Sequence, residues 1–234
     1  VAGGGDHNGD GISDLVIADQ AASGGSSSSS FLIYGDRNTG DGKSFRQFHN
    51  MKVQNLSGFS DLNADGRDDG AILGGFSLAD SAISIRSVNA CDIDHDGKDD
   101  ILTSAPSRNS NAGETLLTFG ASEASLDTHS SVSGDGSTVI SFRGKANEYS
   151  GYGIAGIGDI NHDGIADFAI SSTFSGLDGR IFVIFGNSNR AQLQALATQI
   201  ANVGFQSALN GTNGFSLINP AYSSVAGVQT NMGN

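Results

Sequence analysis

The chain has 234 residues, enough for one large all-β domain or two small ones, and its 37 % apolar content argues against wholesale disorder. The formal net charge of −13 argues against a nucleic-acid surface, because phosphate binding requires basic patches. No apolar run approaches the roughly 20 residues of a membrane-spanning helix, so we expect no membrane segment in this chain.

Three further features of the sequence bear on its setting and structure. The chain begins at Val1 rather than at Met, so we expect it to be a piece of a longer protein. Cys91 is the single cysteine, which excludes an internal disulfide. The 34 glycines indicate many tight turns.

Four acidic loops share the pattern D-x-[DN]-x-D-G-x-x-D. They are DHNGDGISD at 6–14 (loop one), DLNADGRDD at 61–69 (loop two), DIDHDGKDD at 92–100 (loop three) and DINHDGIAD at 159–167 (loop four). We number the places within each loop from one to nine. One match is easily found by chance in an acidic chain, whereas four matches indicate an internal repeat.

Short apolar segments accompany the loops at regular positions. One series follows the loops directly: LVIA at 15–18, AIL at 71–73, ILTSAP at 101–106 and FAISS at 168–172. A second series ends on a glycine: FLIYG at 31–35, LLTFG at 116–120 and IFVIFG at 181–186. Such segments, rich in β-branched and aromatic residues, predict strands. Each unit therefore reads strand, acidic loop, strand, turn and strand, with room for a fourth, which favours an all-β fold of the β-propeller type.

The units are unevenly spaced. Successive loops begin 55, 31 and 67 residues apart, and the middle interval is too short for a full unit, because AISIRSV at 82–88 would have to serve two. Either the second unit is shortened or two loops share one sheet. The chain is expected to form a single partial propeller domain over 1–234, with units at approximately 1–50, 51–82, 83–140 and 141–205 and a partial unit at 206–234.

Two segments depart from this pattern. GGSSSSS at 24–30 predicts a flexible loop between two strands. Residues 190–203 place Leu193, Leu196, Ile200 and Val203 at helical spacing, with Asn189 as cap and Gly204 as stop. This spacing predicts a short helix packed on the outside of a sheet.

The loops offer the oxygen ligands that Ca²⁺ prefers. Side chains at places one, three and five point inward when the backbone coils around an ion, and a backbone oxygen at place seven and the aspartate at place nine complete the shell. The candidate ligands are Asp6, Asn8, Asp10, Ile12 and Asp14; Asp61, Asn63, Asp65, Arg67 and Asp69; Asp92, Asp94, Asp96, Lys98 and Asp100; and Asp159, Asn161, Asp163, Ile165 and Asp167. We therefore expect up to four Ca²⁺ sites.

The alternatives to this type of calcium loop are a zinc or copper site, an EF-hand and a polar turn without metal. His7, His95 and His162 fall on even places, where we expect them to be solvent-exposed, and the absence of Cys or His at ligand places disfavours zinc and copper. An EF-hand requires Glu at place twelve and flanking helices, and the loops here are followed by strand-like segments. A polar turn without metal is the remaining alternative. Thirteen of the 25 acidic residues occupy places one, three, five and nine, a concentration of charge that favours a cation.

The sequence resembles FG-GAP repeats, the units of the β-propeller in integrin α chains and in many bacterial surface proteins. The resemblance rests on GYGIAGIGDINHDGIADFAISS at 151–172 with IFVIFG at 181–186, and on DIDHDGKDDILTSAP at 92–106; NGTNGFSL at 210–217 resembles the beginning of a further unit. It implies that the loops bind Ca²⁺ between the first two strands of a blade and that seven blades close a ring. Only about four units are present here. The missing integrin cysteine pairs favour a bacterial-type fragment.

No catalytic constellation stands out, so we expect a binding module rather than an enzyme. The chain has neither a G-x-S-x-G nor an H-E-x-x-H motif, and Cys91 is expected to be a small buried residue. The first functional hypothesis is a secreted or cell-surface adhesion module that is stabilised by Ca²⁺ and binds a protein or glycan. The second is a non-catalytic propeller attached to a secreted hydrolase, such as a phospholipase or a polysaccharide-degrading enzyme.

Overall fold

The computed structural model describes residues 2–19, 29–35, 70–73, 86–121, 138–173 and 179–218. Within them the chain forms twelve strands and three short helices. The strands are β1 (Ala2–Gly5), β2 (Asp14–Asp19), β3 (Ser29–Ile33), β4 (Gly70–Leu73), β5 (Arg86–Cys91), β6 (Asp100–Ala105), β7 (Glu114–Thr118), β8 (Val139–Arg143), β9 (Ile154–Gly158), β10 (Asp167–Ser172), β11 (Arg180–Ile184) and β12 (Gly214–Ile218). The helices are α1 (Arg108–Asn111), α2 (Arg190–Val203) and α3 (Phe205–Ala208).

The strands form three antiparallel sheets of four strands, each in sequential order: β1 to β4, β5 to β8, and β9 to β12. The predicted all-β architecture is therefore confirmed, and it is compatible with a β-propeller. In each sheet the acidic loop connects the first strand to the second, as the repeat predicts. The second series of apolar segments supplies the third strand.

The first strand of each sheet ends in the same irregularity. The pairing register shifts just before the loop, so that Gly5, Cys91 and Gly158 pair with Asp14, Asp100 and Asp167, the place-nine aspartates. Cys91 and Gly158 both adopt a left-handed backbone, at φ 64° and 70°. A β-bulge bends its strand and re-aims the chain. It directs each first strand into its acidic loop.

Adjacent sheets meet along their first strands, where β5 contacts both β1 and β9. Between the first and second sheets, Val16, Leu32 and Tyr34 form a buried cluster with Ile101. These side chains alternate along their strands, so one face of each sheet points toward its neighbour.

The second interface repeats the first with larger side chains. Leu102, Leu117 and Phe119 of the second sheet are buried in one cluster with Phe168 of the third. Phe168 also meets Phe142 edge to face, with ring centroids 5.3 Å apart. The two interfaces are related by the sequence repeat, because Leu102, Leu117, Phe119 and Phe168 occupy the same positions, after a loop or before a closing glycine, as Val16, Leu32, Tyr34 and Ile101.

Helix α2 has the bounds that the sequence predicts. The side chain of Asn189 accepts a hydrogen bond from the amide of Ala191, and the helix ends at Gly204. Its buried face carries Leu193, Leu196, Ala197 and Ile200, and it packs on β8 at the outer edge of the second sheet. None of the helices in the described residues has the length and apolar character needed to cross a membrane.

Two strand pairings bear on the unit boundaries, which remain predictions, and a third observation concerns the predicted loop at 24–30. Strand β4, which follows loop two, pairs with β3 as the fourth strand of the first sheet. Strand β12, which lies in the segment assigned to a further unit, pairs with β11. Ser29 and Ser30, predicted to lie in a flexible loop, belong to β3, and 24–28 lie outside the described residues.

Candidate metal centre

Loops one, three and four are described by the structure and share one geometry. Loop two, with Asp61, Asn63, Asp65, Arg67 and Asp69, lies outside the described residues, so its ligand set stays a prediction. In each described loop, places four and six adopt a left-handed backbone, and place six is Gly11, Gly97 or Gly164, with φ between 84° and 89°. A residue without Cβ adopts this conformation at no steric cost, which explains the glycine in the motif.

The carboxylate at place one organises the loop from inside. Asp92 accepts the amide of Asp96 at 3.0 Å and that of Gly97 at 2.9 Å. Asp6 and Asp159 accept the amides of places five and six in the same way. The amide of Gly164 is the largest of the causes that hold the pKa of Asp159 below its ordinary value. These bonds coil the backbone around the place-one carboxylate.

The carboxylate at place five closes the loop. It accepts the amide of place seven at 2.8 Å in loop one, 3.0 Å in loop three and 2.9 Å in loop four. In loops one and four the asparagine at place three accepts the amide of place five, at 3.1 and 3.0 Å. In loops one and four, three oxygen side chains are thereby held on the inside of the coil, the arrangement expected for a hard cation.

The aspartate at place nine has a role that the sequence analysis missed. Asp100 is fully buried and accepts the amides of Ile93 at 2.7 Å and of Gly120 at 2.8 Å. Asp14 and Asp167 repeat this arrangement with place two of their loops and with Gly35 and Gly186. Each place-nine carboxylate therefore ties its loop to the end of the third strand. The signal was available in the sequence as the near-constant distance from each loop to its closing glycine.

Burial makes these place-nine carboxylates costly to ionise. Desolvation raises the pKa of Asp14 to about 6 and that of Asp100 well above its ordinary value, although the amides that they accept act in the opposite direction. Desolvation also raises the pKa of Asp167. A cation bound in the loop would favour the ionised form of all three.

Loop three brings the most carboxylates together. Oxygens of Asp92, Asp94 and Asp100 lie within 4.8 Å of one another. Asp94 is only 4 % exposed, and its Oδ1 has no hydrogen-bond partner among the described residues. Desolvation raises the pKa of Asp94, against the opposing effect of Arg190. An orphaned buried carboxylate oxygen beside two other carboxylates fits a hard cation such as Ca²⁺ better than it fits an empty pocket.

Arg190, the first residue of α2, reaches loop three from the third sheet. Its Nε donates to Oδ2 of Asp94, and its Nη2 lies 3.1 Å from Oδ2 of Asp96. The guanidinium carbon lies 4.1 Å from the ring centroid of Phe119. Asp96 also lies 3.7 Å from Lys98 Nζ. Asp94 and Asp96, at places three and five of loop three, therefore share the positive charge of Arg190, which comes from the neighbouring third sheet.

Place two of loops one and three faces the next sheet along the chain. The carbonyl of His7 accepts the amide of Ala121, and the carbonyl of Ile93 accepts the amide of Asn187, both at 3.0 Å. Ala121 and Asn187 each follow the closing glycine of the next sheet. These paired contacts fasten loop one to the second sheet and loop three to the third.

The prediction that His7 is solvent-exposed is wrong, while His95 and His162 are exposed as predicted. His7 is only 1 % exposed because place two is an interface position, and its Nδ1–H donates to the carbonyl of Asp99 at 2.7 Å. Its Nε2 has no partner among the described residues. Burial lowers the pKa of His7, so the neutral ring is the native form.

Cys91 is half-buried rather than fully buried. Desolvation and then the charges of Asp99 and Asp100 raise the pKa of its thiol. A raised pKa suppresses the thiolate, the nucleophilic form of cysteine. The position therefore gives no support to a nucleophile.

The comparison with protein families agrees with this geometry. The family model of the FG-GAP repeat matches residues 84–116, which span β5, loop three, β6 and most of β7. No curated protein matches the chain. The chain therefore contains an FG-GAP repeat, a unit typical of non-catalytic binding modules, and loop three lies within the matched residues.

Proposed function

We propose that this FG-GAP repeat protein is a calcium-binding adhesion or binding module of an extracellular or cell-surface protein. Bound Ca²⁺ would hold the loop between the first two strands of each blade, and the assembled propeller would present a face to a protein or glycan. The observation that carries the proposal is the loop-three cluster, in which the buried Oδ1 of Asp94 lacks a protein partner beside Asp92 and Asp100.

Calcium is favoured over other cations by the donor set. The side chains at the ligand places of the described loops offer only carboxylate and amide oxygens, which suit hard cations. Mg²⁺ demands a near-ideal octahedron and retains its water, whereas Ca²⁺ accepts six to eight oxygens in a flexible arrangement. The loop adds a backbone oxygen at place seven to its side-chain oxygens, which fits the second requirement.

The repeated interface supports a propeller with more blades than the three described sheets. His7 and Ile93, at place two, are 1 % and 0 % exposed because the following sheet covers them, whereas the equivalent Ile160 of the third sheet is 44 % exposed. Ile181 and Leu217, which pair across the same sheet, are 43 % and 52 % exposed. A further blade placed on the third sheet, as that sheet is placed on the second, would cover this face.

The setting follows from the expected affinity. Extracellular calcium modules bind with dissociation constants of about 10⁻⁴–10⁻³ M, so such sites are filled outside a cell and empty in the cytosol. A propeller whose loops are held by Ca²⁺ would therefore reach its full stability only after export from the cell. The FG-GAP repeat itself favours a protein as partner.

Calorimetric titration of the chelator-treated chain with CaCl₂ and, separately, with MgCl₂ tests the proposal. We expect uptake of Ca²⁺ with dissociation constants of about 10⁻⁴–10⁻³ M and much weaker uptake of Mg²⁺. The variant Asp92→Asn/Asp94→Asn should lose part of the Ca²⁺ heat, whereas Ser188→Ala, an exposed residue outside the loops, should not. Absence of Ca²⁺ uptake at millimolar concentration would contradict the proposal.

A further inference from the structure

Loop three differs from the other described loops in its charge. It carries an aspartate at place three, Asp94, where loops one and four carry Asn8 and Asn161. Its ligand places therefore hold four carboxylates rather than three. Lys98 at place seven lies 3.7 Å from Asp96, and Asp99 at place eight accepts the amide of Asp6. The charges of Lys98 and Asp99 offset each other in the loop total, so loop three still carries one more negative charge than loops one and four.

The additional charge is met by Arg190. The guanidinium contacts Asp94 through Nε and Asp96 through Nη2, and it lies over the ring of Phe119. Arg190 occupies the first position of α2, where a positive charge opposes the helix dipole. Its position is therefore unfavourable for the helix itself and is explained by its contacts with loop three.

The third sheet has the same aromatic and acidic side chains beside its loop, but an open cleft lies where the second sheet has the guanidinium of Arg190. Phe185 and Asp163 are the equivalents of Phe119 and Asp96, and they line a cleft of about 360 Å³ beside α2. Loop four has Asn161 at place three, and the amide nitrogen of Asn161 donates to Asp163 at 2.9 Å. In net charge, the pair of Asp94 and Arg190 at loop three is therefore equivalent to the neutral Asn161 in loop four.

We propose that Arg190 sets the cation affinity of loop three by cancelling the additional carboxylate of Asp94, so that loops one, three and four present the same net charge to a cation. This inference rests on the proposed calcium binding. Removing the guanidinium leaves four carboxylates facing the ion and frees Oδ2 of Asp94. A unit charge about 6 Å from a divalent ion changes the dissociation constant of that ion by about tenfold when the dielectric constant is close to that of water. Loop three then binds Ca²⁺ more tightly than loop four.

The amides of the place-six glycines allow each loop to be followed separately in one sample. Gly97 and Gly164 donate to the place-one carboxylates, at 2.9 Å in both loops, so each amide resonance responds to a cation in its own loop. Titration of the ¹⁵N-labelled chain with CaCl₂ yields one dissociation constant from Gly97 and another from Gly164. Gly164 serves as the internal reference.

We expect Arg190→Gln to lower the dissociation constant at Gly97 by about tenfold, with Gly164 unchanged, and we expect added KCl to reduce the effect. Asp94→Asn should raise the constant at Gly97, because Arg190 is then uncompensated, and the double variant should return close to the original value. Lys145→Gln is the matched control: Lys145 Nζ holds the other end of α2 through the carbonyl of Asn202 at 2.7 Å and is remote from loop three in sequence.

Two results would overturn the inference. One is an unchanged or weaker affinity at Gly97 in Arg190→Gln while both glycines still respond to Ca²⁺, which would leave the proposed function intact. The other is wild-type or tighter binding in Asp94→Asn, a variant that reproduces the side chain present at this place in loops one and four. Failure of both amides to respond to millimolar Ca²⁺ would overturn the proposed function and this inference with it.

Discussion

The buried carboxylate of Asp167 accepts a hydrogen bond of 2.9 Å from the amide of Gly186, which lies 19 residues further along the chain. Its second oxygen accepts the amide of Ile160, also at 2.9 Å. One side chain thus joins the acidic loop to the end of the third strand. Because both bonds are made within the protein, they are expected to stabilise the sheet whether or not a cation is bound.

Asp167→Asn is therefore expected to destabilise the chain by about 1–3 kcal/mol both in chelator and in Ca²⁺. The amide NH₂ group replaces one accepting oxygen and leaves a buried N–H without an acceptor. Chemical denaturation in the two conditions measures the loss. A loss confined to the Ca²⁺ sample would show that Asp167 acts only as a ligand.

Asp163→Ala is expected to behave in the opposite way. Asp163 lies in an exposed loop and accepts the amide of Ile165, so its removal should change the stability of the metal-free chain only slightly. With a dissociation constant near 1 mM, 10 mM Ca²⁺ stabilises by about 1.4 kcal/mol per site, which the variant should forfeit. The expected difference in melting temperature is about 3–6 °C, seen only with Ca²⁺. An equal loss in chelator would assign Asp163 a role independent of metal.

His7 gives the stability a dependence on pH. Its pKa is lowered by burial, so below its ordinary value of 6.5 the unfolded chain binds more protons than the folded chain. The contribution of His7 to stability is therefore expected to fall as the pH decreases below about 6.5, whereas the raised pKa values of Asp14 and Asp100 act in the opposite direction. His7→Ile introduces the residue found at the equivalent buried position 93 and should lose less stability between pH 7.5 and 5.5 in chelator. Equal losses in the two proteins would show that His7 is not the group responsible.

The closing glycines are expected to tolerate no side chain. A Cβ on Gly186 would lie 2.2 Å from the carbonyl oxygen of Ala166 and 2.7 Å from that of Ile93, so Gly186→Ala should cost about 1–3 kcal/mol or more. Gly179→Ala is the matched control, since the nearest atom to its Cβ would be the carbonyl oxygen of Ser172 at 4.0 Å. Urea denaturation compares the two variants. Similar stabilities would contradict the close packing between loops three and four and the third strand.

Periodicity explains why much of the fold could be predicted from the sequence. The loop pattern locates the turns between the first two strands, and the alternating apolar segments locate the second and third strands, because both signals are local in the chain. Helix α2 was predictable for the same reason, with Asn189 and Gly204 marking its ends.

The interfaces between sheets could not be predicted from local patterns. His7 stands at an even, polar-looking place, and only the packing of the second sheet on the first shows that place two is buried. The contact of Arg190 with Asp94 joins residues 96 positions apart and depends on how α2 packs against the second sheet. The place-nine aspartates were predicted as ligands, whereas their hydrogen bonds to the closing glycines depend on strand pairing.

The most direct test of the central claim is an anomalous difference map from a crystal grown in millimolar CaCl₂. We expect a peak in loop three among the carboxylates of Asp92, Asp94 and Asp96, and a corresponding peak in loop four beside Asp159, Asn161 and Asp163. Each ion should have six to eight oxygen neighbours at roughly 2.3–2.6 Å. Well-ordered loops without anomalous density at either position would contradict calcium binding by these repeats.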